Sequence, residues 1–364
     1  MASGNGGKVA LAKISSLYAD VNSVNQWFSF TDESLEHMLD ELEEGAITGQ
    51  RDAPNSYKGL DHGKGDINFE PNPNALGHVF AAWFGTISSS LVTNVASNGA
   101  NSGDFAGYPQ QIHRFVPSQA SFSDRTFLPP YNVAVYRDVQ SAFLFKGSIF
   151  TTVKLMIKAN ALVKATGTIM SRQVDLLDYT AGMNSLVSSG GRPWVWDMAS
   201  IEYSSDTTSA NLAARTDFEE LNFTFDMPHD GVPLLDGTKK YAEFTPSDFR
   251  RVKIDGTMSF RDEATYVAFK NYEQHRIRAT MLNVNSVLAL GNPASLDATK
   301  FLGYPGLRLH VPALKFTTWS APIKGPNRIT AAFTAKAERI TSEAGTILVD
   351  LNNIVSSADY TTAI

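Results

Sequence analysis

One internal likeness constrains this chain more than any other feature. Phe150 to Thr168 reads FTTVKLMIKANALVKATGT, and Phe316 to Thr334 reads FTTWSAPIKGPNRITAAFT. The two segments align without a gap. Phe150-Thr151-Thr152 matches Phe316-Thr317-Thr318, Ile157-Lys158 matches Ile323-Lys324, Ala165 matches Ala331 and Thr168 matches Thr334. Each reads as a strand, a turn and a second strand with small residues alternating along it. A second pair supports the first: Gly65 to Glu70 (GDINFE) resembles Gly256 to Arg261 (GTMSFR). Each is followed by a short apolar helical stretch, Leu76 to Phe84 and Tyr266 to Tyr272. The order of the pieces is the same in both halves, which predicts a tandem duplication of one β-rich domain.

Size and composition agree with that expectation. A chain of 364 residues has material for two or three domains. With 43 % hydrophobic and 19 % charged residues it has an ordinary soluble globular composition, and 22 Phe lean it towards strands. There is no Cys, which excludes disulfides, thiolate metal sites and a cysteine nucleophile. The formal net charge of −6 is not that of a sequence-reading DNA-binding protein, which presents a basic face. The opening MASGNGGKVALAKISSLYAD lacks an apolar signal core, and no run is long enough to span a bilayer. The expectation is a protein kept in an aqueous compartment without Sec-type export.

Along the chain, residues 1 to about 9 are Gly- and Ser-rich and read as mobile. Trp27 to Phe30 reads as a strand. Thr31 or Asp32 then caps a predicted helix in which Leu35, Met38, Leu39 and Leu42 form one apolar stripe, with Gly45 just past its end. Residues 46–60 read as a long loop or a β-arm that needs a partner, and the arm extends to about 64. Strand Gly65 to Phe69 follows, then Pro71-Asn72-Pro73 and the first helical stretch. Ser88 to Gly107 reads as a surface loop. Ile112 to Val116, Val133 to Tyr136, Phe143 to Phe145 and Ser148 to Met156 are strand candidates, and Leu162 to Val174 closes the first half. The Gly/Ser-rich connection Thr180 to Arg192 places a boundary between a domain over 1–182 and another over 183–364. Beyond it, Leu221, Phe223 and Phe225 alternate on one strand face, Asp226 to Gly231 reads as a turn, and Thr238 to Arg251 as a further arm or loop. Thr346 to Leu351 is a last strand. Short strands, frequent turns and one short helix per half predict a mainly β sandwich or barrel.

No catalytic constellation with useful spacing is present. Lys58 to Gly65 (KGLDHGKG) is superficially like a phosphate loop. It lacks the first glycine and the hydroxyl after the lysine, and it precedes a strand, so it reads as a polar turn. His37, Asp40 and Glu41 lie on the predicted helix near ligand spacing, but a solvated acidic face explains them without a metal. Asp226, His229 and Asp230 serve a turn, and His62, His78, His113, His275 and His310 are scattered. Trp83, Trp194, Trp196 and Trp319 are core or subunit-contact residues by default, with a stacking face for sugars or bases as the alternative. The chain is expected to be no enzyme and to hold no cofactor or metal.

Several stretches together resemble the bacteriophage tail tube proteins (major tail proteins) of long, non-contractile tails. The carrying residues run from Trp27 to Gly85: WFSFTDESLEHMLDELEEGAITGQRD, the loop to Lys64, and GDINFEPNPNALGHVFAAWFG. The hairpin Phe145 to Met170 and its copy Lys315 to Lys336 are similar to the family's repeated tube domain. The resemblance implies two tandem tail-tube-type β-sandwich or barrel domains, each with a short flanking helix and β-hairpin or loop arms. It implies a structural virion protein that self-assembles into stacked rings, the hollow conduit for genome ejection. It implies a protein made in the bacterial cytoplasm and resident in the phage tail. Its partners would be copies of itself, the tape measure, the tail terminator and the distal tail protein, with no membrane. A tail terminator, a secretion-type tube or a carbohydrate-binding β-sandwich is the alternative.

With the repeat, the resemblance suggests rings of three chains with pseudo-sixfold walls, against rings of six whole chains. Lys154, Lys158, Asn160, Lys164, Lys324 and Asn327 become candidates for the lumen wall. Arg51, Asp52, Tyr57, Lys58, Arg250 and Arg251 become candidates for contacts between stacked rings. Double-stranded DNA carries one charge per roughly 1.7 Å of axis, and basic contacts hold it through counterion release. A conduit through which it slides is therefore expected to be neutral to negative, without sequence-specific binding. Lys154, Lys158, Lys164 and Lys324 on the hairpins run against that expectation unless acidic residues of a neighbour pair with them.

Overall fold

The structure, a computed structural model, describes residues 6–45, 55–91, 111–117, 128–186, 191–204, 212–261, 263–283, 305–323, 328–340, 345–353 and 355–364. In chain order the strands of the first half are β1 (Lys8–Lys13), β2 (Gln26–Phe28), β3 (Asp32–Glu33), β4 (Glu36–Glu43) and β5 (Ser56–Phe69). Helix α1 (Pro73–Phe84) follows, then β6 (Gly85–Leu91), β7 (Gln111–Pro117), β8 (Tyr131–Tyr136), β9 (Ser141–Lys158), β10 (Lys164–Ser171), β11 (Gln173–Asp178) and the single turn α2 (Tyr179–Gly182). The second half holds β12 (Ala199–Ser204), β13 (Ala213–Arg215), β14 (Phe218–Asp226), β15 (His229–Val232), β16 (Glu243–Pro246) and β17 (Arg251–Ser259). It ends with α3 (Ala264–Lys270), β18 (His275–Leu282), β19 (Gly306–Ser320), β20 (Thr330–Ala337), β21 (Leu348–Asn353) and α4 (Ser357–Thr361). The fold is mainly β, and every strand pair is antiparallel.

Two long strands, β9 and β19, each run through two sheets. The C-terminal part of β9 pairs with β10 and β14, while its N-terminal part pairs with β8 and β11. Likewise β19 pairs with β20 at its C-terminal end and with β18 and β21 at its start. One sheet therefore runs β4 (with β3), β5, β10, β9, β14, β17, β20, β19. A second ribbon runs β2, β1, β8, β9, β11, and a third runs β13, β12, β18, β19, β21, β7, β6.

The two like hairpins, β9–β10 and β19–β20, have the same register and the same irregularity. In the first, Phe150 pairs with Ile169 and Thr152 with Thr168, so Thr151 is the extra residue of a bulge. In the second, Phe316 pairs with Ala335 and Thr318 with Thr334, and Thr317 is the extra residue. The bulged hydroxyls act alike: Thr151 Oγ1 donates to the Thr168 carbonyl at 3.4 Å, and Thr317 Oγ1 to that of Thr334 at 3.1 Å. An upstream irregularity also recurs, between Tyr131 and Val133 opposite Ser148 and Phe145, and between His275 and Ile277 opposite Leu314 and Val311. A bulge re-aims a strand, and here it falls where β9 and β19 pass between sheets.

The second pairing noticed in sequence is out of register by two residues. Asp66 pairs with Thr168 and Asp255 with Thr334. The counterpart of Asp66 is thus Asp255, not Thr257. A slip of two keeps every side chain on its face, so the apolar alternation alone did not reveal it.

Helix α1 is the core's centrepiece. Asn72 Oδ1 accepts from the backbone N–H groups of Asn74 (3.0 Å) and Ala75 (2.9 Å), Pro73 occupies the first turn, and Gly85 ends the helix at φ 76°. All its residues are buried. Phe80, Trp83 and Phe84 pack on Phe225 of β14, with ring centroids 6.0, 5.5 and 5.7 Å away. The same apolar cluster holds Phe150, Leu155, Phe223, Ile254, Phe316 and Phe333, so the two halves share one core.

Several sequence expectations fail locally. Residues 32–44 are not a helix but β3 and β4, paired with β5. Of the proposed stripe only Leu35 is buried; Leu39 and Leu42 are 54 % and 59 % exposed. The stripe had no apolar surface to cover, and the 14-residue strand β5 takes up the backbone instead. For the same reason Lys58 to Gly65 is strand rather than turn, with Gly59, His62 and Gly63 buried. The arm placed at 46–64 is a β-hairpin of β4 and β5 over its described residues; 46–54 lie outside them. Strand β1 begins at Lys8, inside the stretch expected to be mobile. Ser88 belongs to β6 rather than a loop, and the remainder of that loop after residue 91 lies outside the described residues. His229 to Gly231 form β15 rather than a turn.

Candidate self-assembly surface

The eight-strand order from β4 to β19 carries one apolar and one polar face, because successive side chains point to opposite sides. On β9, Val153, Leu155 and Ile157 are buried, while Lys154, Met156 and Lys158 are exposed. On β14, Leu221, Phe223 and Phe225 are buried, while Glu220, Asn222, Thr224 and Asp226 are half-buried on the other side. The same alternation continues on β10, β17 and β20.

The polar face is largely satisfied by its own groups. Thr168 Oγ1 donates to Asp66 Oδ1 and Thr166 Oγ1 to Asn68 Oδ1, both at 2.6 Å. Thr152 Oγ1 donates to Asp226 Oδ1 at 2.9 Å, and Asn222 Nδ2 to Asp255 Oδ2 at 3.0 Å. Lys158 Nζ lies 3.2 Å from Glu220 Oε2. The hydrogen bond from Asn222, followed by Lys158, holds the Glu220 carboxyl below its usual range against the opposing effect of burial. The hydroxyl, amide and Lys158 groups named are thereby engaged within the chain and not offered to a phosphate backbone.

Of the residues singled out for this face, Lys154, Lys158 and Lys164 are exposed and lie side by side on β9 and β10. Asn160 sits in the turn between these strands at φ 60°, a conformation Asn tolerates better than most residues. Lys158 meets an acidic group of its own chain, Glu220. Lys324 and Asn327 lie outside the described residues.

The arm residues separate. Tyr57 is 55 % exposed and donates to Glu44 Oε1 at 2.8 Å across the β4–β5 hairpin. Lys58 pairs with Asp61 at 2.8 Å, and His37 reaches the other oxygen of that carboxylate at 2.8 Å. Burial of Asp61 favours its neutral form, but those two bonds outweigh it and keep its pKa low. Arg251 pairs with Asp248 at 2.5 Å. Arg250 is different: its guanidinium stacks over the Trp83 ring at 5.3 Å, and burial lowers its pKa to about 10. It props the core and is not a free surface group. Arg51 and Asp52 lie outside the described residues.

Sequence reasoning missed the joint between β9 and β14, where the two halves meet edge to edge. Lys158 pairs with Glu220, Leu155 with Phe223 and Thr152 with Asp226. The alternation of Leu221, Phe223 and Phe225 was the available signal, but it names a face and not a partner strand. Two edges of the same sheet stay open among the described residues: the outer side of β3 and β4, and the last residues of β19. At Leu35 the first is covered by side chains. Arg137 grips Glu33 with two bonds of 2.8 and 2.9 Å and donates to the Leu35 carbonyl at 2.6 Å, while Glu33 Oε2 accepts from the Leu35 N–H at 2.8 Å.

Among the described residues no group of His, Asp and Glu has the arrangement of a metal site, and no helix is long and apolar enough to cross a membrane. His229 is buried, with Nδ1 against the Met227 carbonyl at 2.8 Å. Trp83 and Trp194 are core residues; Trp319 is half-buried and Trp196 is 45 % exposed.

Comparison with known proteins gives one result of wide coverage: a family model described as phage tail tube protein matches residues 4–346. No curated protein matches the chain.

Proposed function

The chain belongs to the phage tail tube protein family, a family of structural rather than enzymatic proteins of the virion, and on that premise we propose that it builds the tube itself. Copies close into rings, the rings stack, and the hollow stack is the conduit through which the genome leaves. One observation carries the reading: an edge-to-edge strand joint, β9 to β14, already links the two halves of a single chain over a polar face. An exposed strand edge is ordinarily a liability. In a ring-former it is the means of closure.

The matching bulges, registers and strand order of the two halves support a tandem duplication with one tube-type domain over 1–182 and another over 183–364. Three chains then supply six similar units per ring. Rings of six whole chains are the competing arrangement. In this reading the polar face, with Lys154, Lys158 and Lys164, lines the lumen, and the second hairpin's Lys324 and Asn327, outside the described residues, are assigned to the same wall. Lys158 is answered by Glu220, and hydroxyl, amide and carboxylate groups bond one another across the face, so DNA slides past without sequence-specific binding. The β4–β5 arm, with Tyr57 and Lys58, and the residues around Arg251 reach the next ring. The tape measure, tail terminator and distal tail protein are the partners at its core and ends.

Negative-stain electron microscopy of the concentrated chain, with class averages of end-on views, tests this. Tubes or rings with three chains per layer are the expected result. Six whole chains per layer keeps the function and ends the pseudo-sixfold arrangement. Virions whose tails stay unlabelled along their length by an antibody to this chain end the tube reading.

A further inference from the structure

The internal joint is a template for the joint between chains. The strand register makes β19 the counterpart of β9, through the shared bulge at Thr151 and Thr317. It makes β17 the counterpart of β5, through Asp66 and Asp255 opposite Thr168 and Thr334. Glu33 pairs with Ile67 on β5, and Leu221 with Gly256 on β17. Ile67 in turn faces Gly167, and Gly256 faces Phe333. Glu33 is therefore the counterpart of Leu221, and Leu35 that of Phe223. Inside the chain the outer side of β14 is filled by β9. The outer side of β3 and β4 has no strand, and neither does the outer side of β19 beyond its pairing with β18, among the described residues.

We infer that the end of β19 and Ala321 just beyond it, from a second copy of this chain, join β3 and β4 in the register of the internal joint, with Ala321 opposite Leu35 and Ser320 opposite Glu36, displacing an Arg137–Glu33 cap. This rests on the reading of the chain as a ring-forming subunit. Exposure supports the match. Ile157 is 7 % exposed in the internal joint, whereas its counterpart Ile323 is 76 % exposed at the open edge. Leu35, like Phe223, is buried on the core face and leaves its main chain directed at the missing neighbour.

The cap exists only where the edge is open. Leu221 stands in the internal joint where Glu33 stands at the edge, and Met281, by the registers of β8 and β18, where Arg137 stands. An inward-pointing charged pair is a known means of keeping an edge from pairing at random. Here it satisfies both main-chain groups of Leu35, the groups that Phe223 offers to Leu155 in the internal joint. The edge is thus closed to chance partners and opens when a matching strand replaces the two side-chain bonds with main-chain ones.

The absence of native cysteine makes the test clean. A chain carrying Ser320→Cys is mixed with one carrying Glu36→Cys and oxidised. The counterpart pair, Lys154 and Thr224, lies directly opposite in the internal joint, within disulfide reach. A control mixture uses Ser320→Cys with Ser34→Cys, a diagonal neighbour on the same face. Trapping records transient encounters as well as stable rings. The in-register heterodimer should form about tenfold faster than the diagonal one, since disulfide geometry is specific. Adding Arg137→Met to the Glu36→Cys chain should speed trapping further. Equal rates for the two mixtures overturn the register, and an unchanged rate with Arg137→Met overturns the cap. Tubes that form from the wild-type chain while the in-register pair stays unlinked inside them overturn this joint and leave the tube reading standing. A chain that neither assembles nor cross-links defeats both.

Discussion

Lys158 and Glu220 face each other across the line where the two halves of the chain meet, with Nζ 3.2 Å from Oε2. The lysine side chain is 66 % exposed, so this pair marks the joint without holding it. The strength lies beneath, where Leu155 and Phe223 are directly opposite and wholly buried. Lys158→Ala should cost under about 1 kcal/mol, and Phe223→Ala about 3–5 kcal/mol. Urea unfolding midpoints of the two variants check this; equal losses would contradict it.

Acid should loosen the fold through buried histidine. His78 on α1 is wholly buried against Tyr360, with ring centroids 4.8 Å apart, and burial lowers its pKa from 6.5 to about 4. Asp359 works weakly against that shift and His113 adds to it. Between those two values the unfolded chain binds a proton that the folded chain refuses, so stability falls as the pH drops through this window. The contribution lost between pH 7 and pH 5 is about 2 kcal/mol. A His78→Leu variant should lose correspondingly less over that interval, measured by denaturant unfolding at both pH values.

Gly65 should resist substitution. It sits at φ 144°, and a Cβ there would lie 2.3 Å from the Ser34 carbonyl oxygen and 2.8 Å from the Leu35 Cα. Both obstacles are backbone, so β3 and the start of β4 must move. Gly65→Ala should cost on the order of 1–3 kcal/mol. Amide exchange should show the loss centred on Leu35 and spread little to β17.

Arg250 and Tyr57 should fail in different ways. Arg250 stacks on Trp83 inside the molecule, so Arg250→Ala should lower stability by about 1–2 kcal/mol. Tyr57 is more than half exposed on the arm, and Tyr57→Ala should leave the melting temperature within a few degrees. It should instead shorten the tubes seen by electron microscopy. Tubes of normal length from Tyr57→Ala would remove the arm from ring stacking.

Much of the local structure was legible. Asn72, Pro73 and Gly85 bracket α1 with cap chemistry that acts within a few residues, so neighbours in sequence suffice to read it. Leu221, Phe223 and Phe225 declare a strand because every second residue must be apolar on a half-buried sheet. The stretch from Leu35 to Leu42 misled for a related reason. Its apolar spacing fits a helix, but periodicity describes only which side chains group together. Which conformation wins depends on whether another element covers that group, and here β5 offered a main-chain partner instead.

Sequence by itself determined the repeated hairpin, the β-rich class, the first helix and the want of thiol chemistry, because these follow from residue identity and short spacing. Only the tertiary structure decided the register between β5 and β10 and between β17 and β20, the joint of β9 with β14, the inward placement of Arg250 and the cap of Arg137 on Leu35. These unite residues distant along the chain, and strand pairing is made by backbone groups that all residues but proline share. Side-chain pattern selects the face, while the choice of partner and register belongs to the packing of the whole.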